Sequence, residues 1–216
     1  MELPLLVEIS RDQLVSMSDL VKNAFRLSLK ALFESEPFLA RQVMENDKVI
    51  NSYEIDIDNS TYNILASYQA PPKMLRTILA IQKINTALER IGDHAVNIAE
   101  SALSLIHGSM EVELFDLPHM ADLCKKILHD SLHGFFNNDQ DLAKNVLSRD
   151  DVIDGLNIRM CNSIKEKIHS RTLSIEIAME LVRICKNLER IADLSTNIAE
   201  ETCFAVEGKV LKHHAQ

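Results

Sequence analysis

The chain has 216 residues, of which 46% are hydrophobic and 25% charged, and its formal net charge is −9. That length accommodates one large domain or two of about 100 residues, each able to bury a core. The acidic balance argues against nucleic acid as the main partner, which needs clustered Lys and Arg; it suits cations or a basic protein surface, and it is also common among ordinary cytosolic proteins.

With only five glycines and five prolines, few and long elements are expected. Ser10 to about Ser35 reads as a helix, because Leu14, Met17, Leu20, Val21, Ala24, Leu27 and Ala31 recur at three- and four-residue steps. Pro37 ends it, since the residue before a proline leaves the helical region. Phe38 to about Tyr68 forms a second helix, with Val43, Val49, Ile50, Ile57, Ile64 and Leu65 inward. Pro71-Pro72 opens a third, running through Met74, Leu75, Ile78, Ile81, Ile84, Leu88, Ile91, Ala95, Ile98 and Ala102 to Gly108. Gly108 to Pro118 breaks the pattern and marks the boundary between a unit at 1–110 and a unit at 111–216. The pattern restarts over Pro118 to about Phe136, about Asp139 to Ser170, and Ser174 to Gly208. Ser174 is the expected cap of the last helix and Gly208 its expected stop.

The restart is a repetition. Leu88 to Glu100 reads LERIGDHAVNIAE, and Leu188 to Glu200 reads LERIADLSTNIAE; nine of thirteen positions are identical at an offset of 100. Asp47-Lys48-Val49-Ile50-Asn51 likewise corresponds to Asp150-Asp151-Val152-Ile153-Asp154, at an offset of 103. A fixed-period match of this kind predicts two copies of one structural unit. The predicted architecture is all-α, two tandem antiparallel three-helix bundles whose long helices form shared ridges.

Both copies keep a row of acids. With Glu89 at zero on a helical wheel, Asp93 falls at about 40°, Asn97 at about 80° and Glu100 at about 20°. Glu189, Asp193, Asn197 and Glu200 repeat that sector. Asp47, Asn51, Glu54 and Asp58 share a face of the second helix, as do Asp150, Asp154 and Asn157 in the later unit. Like charges at i,i+4 cost a few tenths of a kcal/mol each. Two readings stand open. One is a solvated face softened by Arg90 and Arg190. The other is a cation site, in which hard carboxylate oxygens hold Mg, Mn, Ca or Fe.

Other motifs are weaker. His129-Asp130-Ser131-Leu132-His133 resembles HExxH, but the shorter Asp replaces Glu and no third ligand is evident, so these read as surface or interface histidines. Glu166 to His169 is a single ExxH, too few for a di-iron carboxylate bundle, and His213-His214 reads as a frayed tail. Cys124, Cys161, Cys185 and Cys203 form no CxxC pair and are expected to be buried free thiols. The N-terminal MELPLLVEIS lacks a basic region and a long apolar core, so no signal peptide is expected. No apolar run approaches the ~18 residues that span a bilayer.

The two repeated segments resemble the paired signature of the PhoU family of phosphate-uptake regulators. Gln69 through Ile84 is similar to that family's entry into its third helix, and Glu207-Gly208-Lys209 to its C-terminal helix exit; the resemblance extends from about Arg11 to His213. It implies a PhoU-like six-helix architecture. It also implies acidic motifs that bind metal ions, in some members as multinuclear iron or zinc clusters. Carried over by position, the ligands would be Asp47, Asn51, Glu89, Asp93 and Asn97 in the first unit and Asp150, Asp154, Glu189, Asp193 and Asn197 in the second. Asn51 departs from the acidic pattern and removes one charge from the first set. Iron, zinc, manganese or magnesium would be the cofactor. The resemblance further implies a cytoplasmic, non-enzymatic adaptor between a phosphate transporter ATPase and a sensor histidine kinase. It would touch the membrane only through those proteins, with a homodimer left open. The alternatives are an accessory protein of a different phosphate carrier, a metal-dependent bundle enzyme or metal-storage protein, and a plain helical scaffold for basic partners.

Overall fold

The computed structural model describes residues 2–107 and 116–209. The expected boundary at 110/111 and the His213-His214 tail lie outside the described residues. Within them the chain is helical throughout: α1 Leu3–Glu34, α2 Pro37–Ser67, α3 Pro72–His107, α4 Leu117–Asn137, α5 Gln140–Leu147, α6 Asp150–His169 and α7 Ile175–Glu207. Helices α1, α2 and α3 pack together as one bundle, and α4, α5 and α6 pack on α7 as the other. The six expected segments are all present, with two differences.

The first helix begins at Leu3 and not at Ser10. Pro4 sits in its first turn, where no N–H is needed, and the amides of Leu5 and Leu6 bond to the Glu2 carbonyl. The fifth segment is split into α5 and α6. At the break the Ser148 hydroxyl donates to the Asn145 carbonyl (2.8 Å), and the Arg149 amide closes a tight turn on Val146 (3.0 Å). Such a local hydroxyl bond offers the backbone an alternative to the helix. The Arg149 guanidinium, 2.6 Å from Asp130 of α4, anchors the corner.

The caps follow the sequence. The Ser174 hydroxyl accepts from the Ile177 amide (3.3 Å), and Gly208 closes α7 at φ 74°, a conformation that suits a residue without Cβ. Ser35 and Asn138 close α1 and α4 in the same left-handed region.

Helices α3 and α7 make the most extensive interface of the fold and join the two bundles. They run antiparallel. Lys83 pairs with Glu201 (2.7 Å) toward one end, His94 Nδ1 lies 2.8 Å from Asn187 Oδ1 mid-way, and Arg183 pairs with Glu100 (2.5 Å) toward the other end. The apolar half of the repeat builds this spine. Ile84, Leu88, Ile91 and Ile98 on α3, and Ile184, Leu188, Ile191 and Ile198 on α7, are all 0% exposed. Burying each such side chain contributes about 1.5–3 kcal/mol. Val49 and Leu75, expected inward, face out instead. Cys124, Cys185 and Cys203 are buried thiols, Cys124 donating to the Leu188 carbonyl at 3.3 Å, whereas Cys161 is only half-buried. Among the described residues no helix is long and apolar enough to cross a membrane.

Candidate metal centre

Each acidic row runs along the groove between a unit's middle helix and its ridge helix. In the first unit Gly92 sets the approach of α2 to α3. A Cβ there would lie 3.2 Å from Ile50 Cδ1, so the bare glycine lets the Ile50 side chain of α2 sit close, while Asp47 Oδ1 at 3.8 Å would be in ordinary contact. Asn51 Nδ2 donates to Asp47 Oδ2 at 3.1 Å. The other oxygens of that pair, Asp47 Oδ1 and Asn51 Oδ1, are buried without a hydrogen-bond partner. Orphaned buried acceptors cost stability unless a proton, cation or water meets them.

The electrostatics show that four carboxylates of this unit sense one another. Glu89 is pushed up to about 7 by burial first, then by Asp93, Glu54 and Asp47, with Arg90 opposing. Burial and then Asp93 raise Asp47, against the pull of its bond from Asn51. Burial, Asp58 and Asp93 raise Glu54. No lysine or arginine ion pair reaches Asp47, Glu54, Glu89 or Asp93 among the described residues. Asn85, 0% exposed, holds the far end of the row by donating to the Glu54 carbonyl and to Asp58 Oδ1, both at 2.9 Å.

In the second unit Asp154, Glu189 and Asp193 each offer a carboxylate oxygen, and these lie within 4.8 Å of one another. Asp154 comes from α6 and the other two from α7. Asn157 Nδ2 donates to Glu189 Oε2 (2.8 Å). Basic side chains already lean on this cluster. Lys186 Nζ lies 2.6 Å from both Glu189 oxygens, and Arg190 Nη1 lies 3.1 Å from Asp193 Oδ2. These are pairs within α7, one turn apart, so they flank the acids without sealing them into the interface. Asp193 is raised by burial and then by Glu189, against the pull of Arg190, with Asp154 adding to the rise.

The structure therefore gathers the expected residues unevenly. Asp154, Glu189 and Asp193 converge; Asp47, Asn51, Glu89 and Asp93 form a looser row. Asn97 turns away from its row, where its Oδ1 accepts from Arg183 Nη2 of α7 at 2.8 Å. Asn197 sits beside Arg90 in a recess between α3 and α7. Angle alone does not account for this, because Glu100, at about 20° on the same wheel, meets the same guanidinium as Asn97; the long Arg183 side chain reaches both across the seam. The Asp150 side chain lies outside the described residues. Asn85 and Lys186 carry weight that the sequence reading did not give them. Both sit three or four residues before the row's first Glu, at spacings that share its helix face. His129 and His133 are exposed and stacked on each other at 6.0 Å, and Asp130 between them turns to Arg149, as suits surface histidines.

In donor chemistry the second-unit triad fits a hard cation. Three carboxylates supply negative charge and oxygen ligands, and the resident Lys186 and Arg190 contacts show that the site already attracts positive charge. A metal would displace those contacts.

The chain is thus a duplicated all-helical bundle whose shared polar groups lie in acidic rows and seam contacts. The comparisons name it. The PhoU domain model matches residues 14–102 and again 117–202. A PhoU homolog of Thermotoga maritima, named as a phosphate-specific transport system accessory protein, is 32% identical, over 95% of this chain and 92% of that protein. A homolog from Aquifex aeolicus is also 32% identical, over 96% of this chain and 94% of its own length. The crystal structure of PhoU from Pseudomonas aeruginosa superimposes with a TM-score of 0.93 at 29% identity, over 96% of this chain and 100% of that one. That of the phosphate transport system regulatory protein PhoU from Streptococcus pneumoniae gives 0.89 at 25% identity, over 98% and 100%. The chain belongs to the PhoU family, a non-enzymatic family of phosphate-transport regulatory and accessory proteins.

Proposed function

We propose that this protein is a cytoplasmic adaptor that couples a phosphate transporter ATPase to a sensor histidine kinase and restrains the phosphate-starvation response, with cations held on its carboxylate rows. The observation that carries this reading is the near-complete alignment, in sequence and in three dimensions, with accessory and regulatory proteins of phosphate transport. The surface supports it. At the start of α7, Ile175 and Met179 are 62% and 68% exposed and line an apolar groove of about 450 Å³ with Ile168 and Val182. Exposed apolar patches of that kind mark docking surfaces for macromolecules. The metal part rests on the Asp154, Glu189 and Asp193 triad, with the Asp47, Asn51, Glu89 and Asp93 row as the weaker partner site.

The test is affinity capture from phosphate-replete cells, with the recovered proteins identified. Recovery of a phosphate transporter ATPase together with a histidine kinase is the expected result. Recovery of a different phosphate carrier alone assigns the protein to that carrier, and recovery of neither contradicts the adaptor role.

A further inference from the structure

The duplication pairs Cys161 with Asp58, at the offset of 103 that relates the middle helices, and Cys185 with Asn85, at the offset of 100 that relates the ridge helices. In the first unit these equivalents touch: Asn85 Nδ2 donates to Asp58 Oδ1 at 2.9 Å. Copies of one structural unit place equivalent side chains alike. A polar contact between α2 and α3 in one unit thus becomes a meeting of two thiols between α6 and α7 in the other.

The packing of the second unit gives the same answer independently. Asp154 of α6 gathers with Glu189 and Asp193 of α7, and Asn157 Nδ2 reaches Glu189 Oε2 at 2.8 Å. The contacts move up α6 as they move down α7, so the two helices run antiparallel. Cys161 lies four residues beyond Asn157, and Cys185 four residues before Glu189, on the same facing sides. Cys161 Sγ is 3.7 Å from Asn157 Oδ1. Burial first, and then the neighbouring Cys161, push the Cys185 thiol up to about 12. The pair is also graded in exposure: Cys161 is half-buried and open to solutes, whereas Cys185 is 0% exposed. An accessible cysteine set beside a resolving one is the arrangement of redox-responsive thiols.

We propose that Cys161 and Cys185 form a reversible disulfide that ties α6 to α7 when the protein meets a hydroperoxide. The Cys161 sulfur attacks one peroxide oxygen. The O–O bond breaks, the departing oxygen takes the thiol proton and leaves as water or alcohol, and a sulfenic acid remains on Cys161. The Cys185 sulfur then attacks the Cys161 sulfur. The S–S bond forms, the S–O bond breaks, and the Cys185 proton leaves with the hydroxide as water. Two thiols lose two electrons to one peroxide. In a reducing compartment such a bond is transient, which suits a response and not a permanent staple. The inference stands on the α6–α7 packing and not on the adaptor role or a bound metal, so purified protein tests it without any partner.

The experiment exposes the full chain, reduced and held in a metal chelator, to hydrogen peroxide under native conditions, followed by thiol blocking and peptide mass mapping. Cys161→Ser, Cys185→Ala and Cys124→Ala are compared, and circular dichroism checks that each variant is folded. Cys161 is half-buried, so its replacement spares the core and keeps the test decisive where a buried substitution unfolds the chain. The expected result is a Cys161–Cys185 linkage within one chain in wild type and in Cys124→Ala, reversed by dithiothreitol and lost in the other two variants. A dimedone-reactive sulfenic acid at Cys161 is expected to persist in Cys185→Ala and to decay in wild type. Absence of the linkage from folded wild type overturns the proposal. So does a bond from Cys161 to a second chain, or from Cys185 to Cys124.

Discussion

Arg183 and Asn97 join the two repeats. Arg183 Nη2 of α7 donates to Asn97 Oδ1 of α3 at 2.8 Å and also reaches Glu100 Oε2 at 2.5 Å. An asparagine that a helical wheel groups with the carboxylates is thereby spent on the seam between bundles. The polar residues shared by the two copies serve two ends: Glu89, Asp93, Glu189 and Asp193 face the middle helices, whereas Asn97, Glu100, Asn197 and Glu200 lie at the seam with the opposite long helix.

That pairing is expected to hold orientation more than stability. Both partners of the Arg183–Glu100 ion pair are 41% exposed, and exposed pairs contribute about 0–1 kcal/mol. A double-mutant cycle of Arg183→Ala and Glu100→Ala, read by urea unfolding, is expected to give a coupling of no more than about 1 kcal/mol.

The apolar spine is where stability is concentrated. Ile91→Ala, at a fully buried position, is expected to destabilise the fold by about 2–5 kcal/mol. Val49→Ala, on the exposed side of α2, is expected to change it by no more than about 0.5 kcal/mol. Chemical denaturation of the two variants checks the contrast.

The first acidic row makes metal-free protein pH-sensitive. Glu89 titrates at about 7 in the folded chain and near 4.5 as an ordinary glutamate. The folded state therefore binds this proton more tightly than the unfolded state. Stability contributed by Glu89 rises as pH falls from about 8 toward 5 and is lost as pH climbs through 7. Asp47 and Glu54 are raised from their ordinary values and act in the same direction. His94, lowered from 6.5, acts oppositely as the solution turns acidic. Thermal melts of wild type and Glu89→Gln across this range separate the terms. Wild type is expected to gain more on acidification than the variant does.

Much of the architecture was legible because one signal repeats through it. The three- and four-residue apolar steps located all six segments, and the offset between Leu88 and Leu188 announced the duplication. Side-chain competition with the backbone was not legible: nothing in periodicity marks Ser148 and Arg149 as the break between α5 and α6, because the anchor is Asp130 on another helix. The start of α1 lies earlier than the apolar steps from Leu14 indicate, because Pro4 sits in a first turn, where its missing N–H is not needed. For the site, face-sharing on one helix was readable and convergence between helices was not. Asp154 meets Glu189 and Asp193 only because α6 packs against α7, while the wheel gave no sign that Asn97 would meet Arg183.

The most direct measurement is the metal content of the purified chain, by elemental analysis, for wild type and for the triad variants Asp154→Ala and Asp193→Ala, after equal exposure to iron, zinc, manganese and magnesium. Each carboxylate is one of the few ligands in its cluster, so each variant is expected to lose most second-unit metal while keeping its helical signal. Metal content equal to wild type in the doubly substituted chain, with the fold intact, would contradict the assignment of these carboxylates as ligands.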